Sequence, residues 1–211
     1  MDIRLPLPAA LRHRVQGEEK LWAHAVSLLL SPPVVWALWV YATSYLRGVN
    51  HAFVFASLFA LTICVAPMLF VAYKVRNGKI SDMHMRESNE RYIPYSIAIV
   101  GGILTGLVYL RYDAGPVLLL VVLVSIVELT IMLAATFYMK VSLHAMALSS
   151  VIAATTLLFG FAQGLLFLPL LLLVVLARLV LRRHTTLQIM AGVLIGVLTP
   201  LLVVTAAGLM L

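Results

Sequence analysis

Apolar runs of about 20 residues recur along most of this chain, and they restrict its fold more than any other feature. A helical run of that length crosses ~30 Å of hydrocarbon, because each residue adds 1.5 Å. Lipid offers the backbone no hydrogen-bond partners, so spanning segments must be helices. Strands of a membrane barrel would alternate, whereas these runs are continuously apolar. The sequence therefore predicts an all-α, polytopic transmembrane bundle of six to seven helices.

The apolar runs define seven expected spans, of which the fifth is short. These spans are 21–46, 51–74, 93–111, 115–138, 143–160, 163–182 and 187–210. Pro32 and Pro33 interrupt the first span and are expected to kink it. Residues 1–20 are predicted to form a polar N-terminal arm, and residues 21–211 a single transmembrane domain.

Composition supports a membrane protein and excludes several other classes. Of the 211 residues, 63% are hydrophobic and 11% are charged, whereas a soluble domain has about 25% charged residues. Cys64 is the single cysteine, which excludes an internal disulfide and a cysteine-ligated metal cluster. We interpret the net charge of +7 as cations at the membrane surface, so no nucleic-acid partner is expected. The sequence does not indicate an oligomeric state.

The basic residues favour one orientation in the membrane. Seven spans place the N-terminus and the loops at 75–92, 139–142 and 183–186 on one side, together with most lysines and arginines. The other side carries Arg47 and Arg111. Cytoplasmic loops are enriched in lysine and arginine. We therefore expect a cell (inner) membrane protein whose N-terminus and polar loops are cytoplasmic.

Three polar clusters interrupt the apolar pattern, and all three fall on that same side. The first extends from Lys79 to Arg91, the second is residues 140–144, and the third contains Arg178, His184 and Gln188. The fifth and sixth spans are expected to form an antiparallel hairpin, which brings its two open ends together. Residues 40 apart in the sequence then become neighbours.

The residue types in these clusters suit a site that binds and transfers a phosphate. Arg178 lies inside the apolar run LPLLLLVVLARLVLRR, where an unpaired charge costs several kcal/mol. Ser142 and the next amides are expected at a helix N-terminus, which favours an anion. Arginine and lysine side chains complete a phosphate pocket. The two histidines, His144 and His184, are candidates for nucleophile and general acid.

The clusters resemble the three motifs of the type-2 phosphatidic acid phosphatase superfamily. The family pattern K-x6-R-P is similar to Lys79-Ile-Ser-Asp-Met-His-Met-Arg86. The pattern P-S-G-H is similar to Val141-Ser142-Leu143-His144. The pattern S-R-x5-H-x3-D is similar to Ala177-Arg178-x5-His184-x3-Gln188. The match keeps the order of the motifs and covers most of residues 75–192.

The resemblance implies a metal-independent phosphatase without a cofactor, acting on a membrane lipid. His184 would attack the phosphorus and form a phosphohistidine, and His144 would protonate the leaving alcohol and later activate water. The groups implied to hold the phosphoryl oxygens are Lys79, Arg86, Arg178 and the hydroxyl of Ser142. Asp82 and His84 would line the pocket, or pair with Lys79 and Arg86.

The chain departs from the family pattern at several positions. Glu87 stands where the family has proline, which makes Arg91, in Arg91-x-x-Pro94, an alternative phosphate ligand. Val141 and Leu143 replace the proline and glycine of the second motif. Gln188 replaces the aspartate that would orient the nucleophile; its amide oxygen accepts a hydrogen bond from an imidazole but cannot neutralise an imidazolium.

The leading hypothesis is a membrane phosphatase acting on a lipid phosphate monoester or an isoprenoid diphosphate. A membrane-embedded lipid transferase or prenyltransferase is one alternative, but that class uses aspartate pairs to bind diphosphate through Mg²⁺. The chain has only Asp2, Asp82 and Asp113. A non-catalytic lipid-binding or transport protein is the other alternative. Glu128, in the middle of a span, is interpreted as a structural group.

Overall fold

The computed structural model describes residues 20–83, 85, 87 and 89–208, and all regular structure in these ranges is helical. We number the helices in chain order. They are α1 (Lys20–Leu29), α2 (Pro32–Leu46), α3 (Ala52–Arg76), α4 (Tyr92–Arg111), α5 (Pro116–Ala135), α6 (Leu143–Phe159), α7 (Phe161–Leu165), α8 (Leu168–Val180) and α9 (Thr186–Ala206). A short 3₁₀ turn, Asn89–Arg91, precedes α4.

Five of these segments are long and apolar enough to cross a membrane: α3, α4 with its 3₁₀ turn, α5, α7 with α8, and α9. The pair α1 and α2 adds a sixth if it is counted as one bent span, while α6 is apolar but shorter. The chain is therefore an integral membrane protein, and the prediction of an all-α, polytopic helical bundle is confirmed. The segment expected to be the shortest span, α6, is the short apolar helix.

The expected kink in the first span is a break between α1 and α2. The two helices differ in direction by 43°. Ser31 adopts an extended conformation, with φ −66° and ψ 146°. A residue before proline avoids the helical region, and the proline pair is tolerated in the first turn of α2. The break leaves the last turns of α1 free to approach the end of the bundle where the polar clusters lie.

A π-helical stretch, Ala60–Val65, widens α3 immediately before Pro67. The widened turn packs against α4, where a Cβ atom on Gly101 would lie 2.5 Å from the carbonyl oxygen of Thr62. The hydroxyls of Thr62 and Thr105 are 2.7 Å apart and hydrogen-bond across this contact. Small residues and interhelical hydrogen bonds are the usual means of packing helices in lipid.

The centre of the bundle is α6, which packs against α2, α7, α8 and most extensively α9. Gly192 of α9 permits this close approach, since a Cβ atom there would lie 2.5 Å from the carbonyl oxygen of Ser142. The N–H of Ser142 also donates to the carbonyl oxygen of Gln188, at 3.1 Å. The starts of α6 and α9 are thus held together.

Successive spans alternate in direction, which sets which helix ends meet. The ends of α3, α5 and α8 and the starts of α4, α6 and α9 lie at one end of the bundle, together with α1. We call this end the polar face. All three polar clusters of the sequence belong to segments at the polar face.

Candidate active site

A cavity of about 190 Å³ opens at the polar face. Its arginines and histidines, among the described residues, are Arg91, His144, Arg178 and His184, and the phenol of Tyr95 also lines it. The four arginine and histidine side chains come from different segments: the turn before α4, the first turn of α6, the last turn of α8, and the turn before α9. The structure therefore brings together residues from all three polar clusters.

Arg91 is 4% exposed, and its guanidinium is fixed by main-chain acceptors. One terminal nitrogen donates to the carbonyl oxygen of Val141 at 3.2 Å, and Nε donates to that of Met85 at 3.4 Å. Neither acceptor carries a charge. The contact with Val141 ties the first polar cluster to the second.

Arg178 is 3% exposed in the last turn of α8. One terminal nitrogen donates to the hydroxyl of Ser27 at 3.4 Å. Its Nε is buried and has no hydrogen-bond partner among the described residues. Leaving such a donor unpaired costs free energy. The unpaired donor on a cavity-lining arginine indicates room for an acceptor that the described part of the chain does not provide.

The arginines that line the cavity have no negatively charged partner in the lining. Neither aspartate nor glutamate lines it in the described part of the chain. Two guanidinium groups are therefore desolvated at a cavity without a lining carboxylate, which is costly. Asp82 attracts Arg178 from outside the lining, but it is already paired with Arg183. An anion bound between them would offset this cost.

His184 is oriented by the residue that starts the second cluster. Its Nδ1 lies 3.0 Å from the carbonyl oxygen of Lys140 and 3.3 Å from Oε1 of Gln188. Both partners are acceptors, so Nδ1 carries the proton and Nε2 has the free lone pair. Gln188 Oε1 also accepts from the N–H of Thr185, at 3.1 Å, in the capping box of α9. The Lys140 carbonyl makes the shorter contact with the imidazole.

The surroundings of His184 favour its neutral form. Burial lowers the pKa of the imidazole most, the nearby Arg178 and Arg91 lower it further, and together they bring it to about 3. Burial and the same two arginines, with Arg183, also lower the pKa of Lys140. The cationic environment keeps Nε2 unprotonated and available as a nucleophile at neutral pH.

We expect His184 to remain neutral from pH 8 down to about pH 5. An ordinary histidine, with a pKa of about 6.5, would be almost fully protonated at pH 5. Because the pKa of His184 is lowered to about 3, its ring ¹⁵N resonances should not titrate in this range. Assignment by comparison with His184→Gln makes the measurement specific. If the resonance that is absent from the His184→Gln spectrum titrates near pH 6.5 in the wild type, the cationic, buried environment of His184 is contradicted.

His144 lies in the first turn of α6 and is 8% exposed. Its Nε2 is 3.0 Å from the carbonyl oxygen of Ser27 in α1. A carbonyl only accepts, so the imidazole carries a hydrogen on Nε2. The second histidine thus offers a proton donor, whereas His184 offers a lone pair.

The structure does not bring every predicted residue to the cavity. Lys79 is exposed and is not among the lining residues. Ser142 is fully buried and caps α6, where its hydroxyl accepts from the N–H of Ala145 at 3.5 Å. Asp82 does not line the cavity and forms a 2.8 Å ion pair with Arg183.

Two more predicted residues, His84 and Arg86, lie outside the described residues. Arg91, the alternative to Arg86, lines the cavity. Gln188, which stands at the aspartate position of the third motif, contacts the imidazole of His184. It shares that oxygen with the helix cap, so it is a weaker orienting group than an aspartate would be.

Sequence reasoning missed Ser27 and the main-chain acceptors. Ser27 is fully buried and contacts both His144 and Arg178. The sequence feature that could have indicated Ser27 is a hydroxyl side chain within the apolar stretch AVSLLLSPP, shortly before the Pro-Pro pair. The carbonyl groups of Lys140 and Val141 leave no such signal, because every residue has one.

Glu128 lies away from this site. It is 1% exposed in α5 and lines a separate cavity of about 40 Å³, together with Ser125 and Ser150. Its Oε1 has no hydrogen-bond partner among the described residues. Within the described ranges, no three histidine, cysteine, aspartate or glutamate residues lie close enough to hold a metal ion.

Comparison of the chain with models of protein families, with curated proteins and with solved structures finds no match. The likeness to the type-2 phosphatidic acid phosphatase superfamily therefore rests on the residues of the three motifs.

Proposed function

We propose that the protein is a membrane phosphatase that removes a terminal phosphate from a lipid phosphate monoester or an isoprenoid diphosphate. The observation that supports this most is the cavity itself, in which two buried arginines and two buried histidines meet without a lining carboxylate. Such a site favours an anion and carries both a nucleophile and a proton donor. Its position at the end of a lipid-embedded bundle favours an amphiphilic substrate.

Arg91 and Arg178 would bind the phosphoryl oxygens. A guanidinium presents planar, paired donors that match the geometry of a phosphate. Fixed positive charge also stabilises the transferring phosphoryl group in its transition state, where the negative charge spreads over three oxygens. The unpaired Nε of Arg178 is a donor available for this contact.

His184 would act as the nucleophile. Its Nε2 attacks the phosphorus, an N–P bond forms, and the P–O bond to the leaving alcohol breaks. The Lys140 carbonyl holds the Nδ1 proton during this step and stabilises the charge that develops on the ring. The neutral state of the free imidazole makes the lone pair available before the substrate binds.

His144, protonated on both ring nitrogens when the phosphate is bound, would supply its Nε2 proton to the leaving oxygen and become neutral. The donor hydrogen on Nε2 now points at the carbonyl oxygen of Ser27, and the leaving oxygen would replace that acceptor. In the second step the neutral ring accepts a proton from water, which attacks the phosphohistidine and releases inorganic phosphate. Both imidazoles then return to their starting states.

The basic residues at the polar face would place this site on the cytoplasmic side of a cell membrane. The opposite end carries Arg47 and Arg111. A lipid phosphate in the cytoplasmic leaflet would reach the cavity without crossing the bilayer.

The test is phosphate release from a panel of lipid phosphates and prenyl diphosphates, with and without EDTA. We expect release that EDTA does not reduce. Brief incubation with a ³²P-labelled substrate should leave acid-labile, alkali-stable label on the protein, as a phosphohistidine does. Loss of activity with EDTA would favour a metal-dependent transferase, and tight binding of lipid phosphates without release would favour a non-catalytic binding protein.

A further inference from the structure

The cavity continues from the charged groups into the hydrocarbon. Arg91 marks its charged end, and Ala98 lines it seven residues further along α4. That spacing corresponds to about 10 Å along the helix. Leu129 lines it from α5, six residues before that helix ends at the polar face. The cavity is thus a slot reaching about two thirds of the ~15 Å depth of one leaflet.

The deep part of the slot is apolar. Trp36, Ile63, Ala98 and Leu129 line it, each buried and each from a different helix. They close the slot at its inner end, while the charged residues lie at its outer end. This division matches a molecule with an anionic head and a hydrocarbon tail.

One side of the slot faces the surrounding lipid. Leu28, which lines it, is 65% exposed, and the half-buried Ser31, Pro33 and Met68 lie beside it. The first three belong to the break between α1 and α2, and Met68 belongs to α3. The helix break therefore leaves a lateral opening through which a membrane lipid can enter.

The volume of the slot limits what fits. An engineered cavity of about 150 Å³ in another protein holds a single benzene ring. At about 190 Å³, this slot has room for part of one slender chain. Two acyl chains with their glycerol junction would not both fit inside it, so the second chain of a diacyl lipid would have to remain crowded at the lateral opening.

We propose that the substrate is a phosphorylated single-chain amphiphile, whose chain occupies this slot as far as Ala98. The proposal rests on the proposed phosphatase function and narrows its substrate class. Ala98 is then a residue that determines specificity, because its small side chain sets how far the chain extends. Diacyl lipid phosphates would be poor substrates.

The first test compares kcat/KM for dodecyl phosphate, butyl phosphate and dioleoyl phosphatidic acid. We expect dodecyl phosphate to exceed dioleoyl phosphatidic acid by at least about 10-fold, which is the usual worth of a pocket that excludes one substrate sterically. Equal rates with the single-chain and diacyl substrates would overturn the proposal.

The second test is Ala98→Phe, which places a ring in the slot. It should lower kcat/KM for dodecyl phosphate about 10- to 100-fold and leave that for butyl phosphate unchanged. Val100→Phe is the matched control, since Val100 lies on the same helix and is exposed to lipid. If Ala98→Phe fails to fold, Leu129→Ala gives the opposite test, because a wider slot should raise the rate with the diacyl substrate.

Measurements of ligand binding distinguish the single-chain proposal from the proposed phosphatase function. Dodecyl phosphate should raise the Tm of the wild type more than dioleoyl phosphatidic acid does, and should raise the Tm of Ala98→Phe less. Chain-selective binding without phosphate release would contradict catalysis and support the slot. An equal loss of dodecyl and butyl phosphate turnover in Ala98→Phe, with Val100→Phe unaffected, would contradict the slot and leave catalysis intact.

Discussion

Replacement of His184 by alanine is expected to lower phosphate release by at least about 10⁴-fold, because it removes the atom that bonds to phosphorus. The ³²P label on the protein should disappear with the activity. His184 lies in a turn between α8 and α9, so the helices should still form. Phosphate release under single-turnover conditions, with the Tm measured on the same sample, checks both expectations. Added imidazole should restore part of the rate, since the substitution leaves room for a ring.

His51→Asn is the matched control for this prediction. His51 is an exposed histidine at the opposite end of the bundle, with φ 54°, and asparagine tolerates that left-handed conformation. This variant should retain full activity. Full activity in His184→Ala would end the assignment of His184 as nucleophile, whatever the activity of the control.

Replacement of Arg178 by methionine is expected to reduce kcat/KM by about 10³-fold and to leave the protein equally or more stable. The activity falls because a fixed positive charge no longer meets the phosphoryl oxygens. Stability does not fall, because methionine fills similar space without a desolvated charge, and relief of this kind is worth about 1–2 kcal/mol. The kcat/KM of Arg178→Lys should lie between those of the wild type and Arg178→Met, since lysine keeps the charge but not the paired donors.

The measurements are kcat/KM with the best lipid phosphate and thermal unfolding in detergent without substrate. Arg111→Met is the control, because Arg111 is exposed at the opposite end of the bundle. A merely structural Arg178 would give a different pattern, in which Arg178→Met loses stability and activity together. Inorganic phosphate should raise the Tm of the wild type and have little effect on the methionine variant.

The apolar runs predicted the bounds of several helices to within a few residues. The predicted span 93–111 became Tyr92–Arg111, and 187–210 became Thr186–Ala206. Bilayer thickness and the need to pair every backbone group determine such lengths. The break at Ser31 was expected from Pro32-Pro33, but its 43° angle depends on packing that a local sequence does not encode.

The site was predictable where polar residues interrupt apolar sequence. Arg178 was identified because lipid penalises a charge that serves no purpose, and His184 because it follows Arg178 by six residues. Lys79 shows the limit of this reasoning, since motif spacing placed it at the phosphate, whereas the structure leaves it exposed outside the cavity lining. The path of the 77–91 segment decides such placement, and that segment has no regular periodicity. Ser27 joined the site only because a helix break far from the motifs turned it inward.

The groups that orient Arg91, His144 and His184 include carbonyl oxygens of Val141, Ser27 and Lys140. A peptide carbonyl is the same whichever amino acid contributes it, so mutation at these positions can accumulate while the geometry of the cavity persists. The proline, glycine and aspartate of a motif can then be substituted while the contacts that orient these side chains remain. Distant relatives of such a protein would be recognised by helix register and backbone path, because their shared letters would be few.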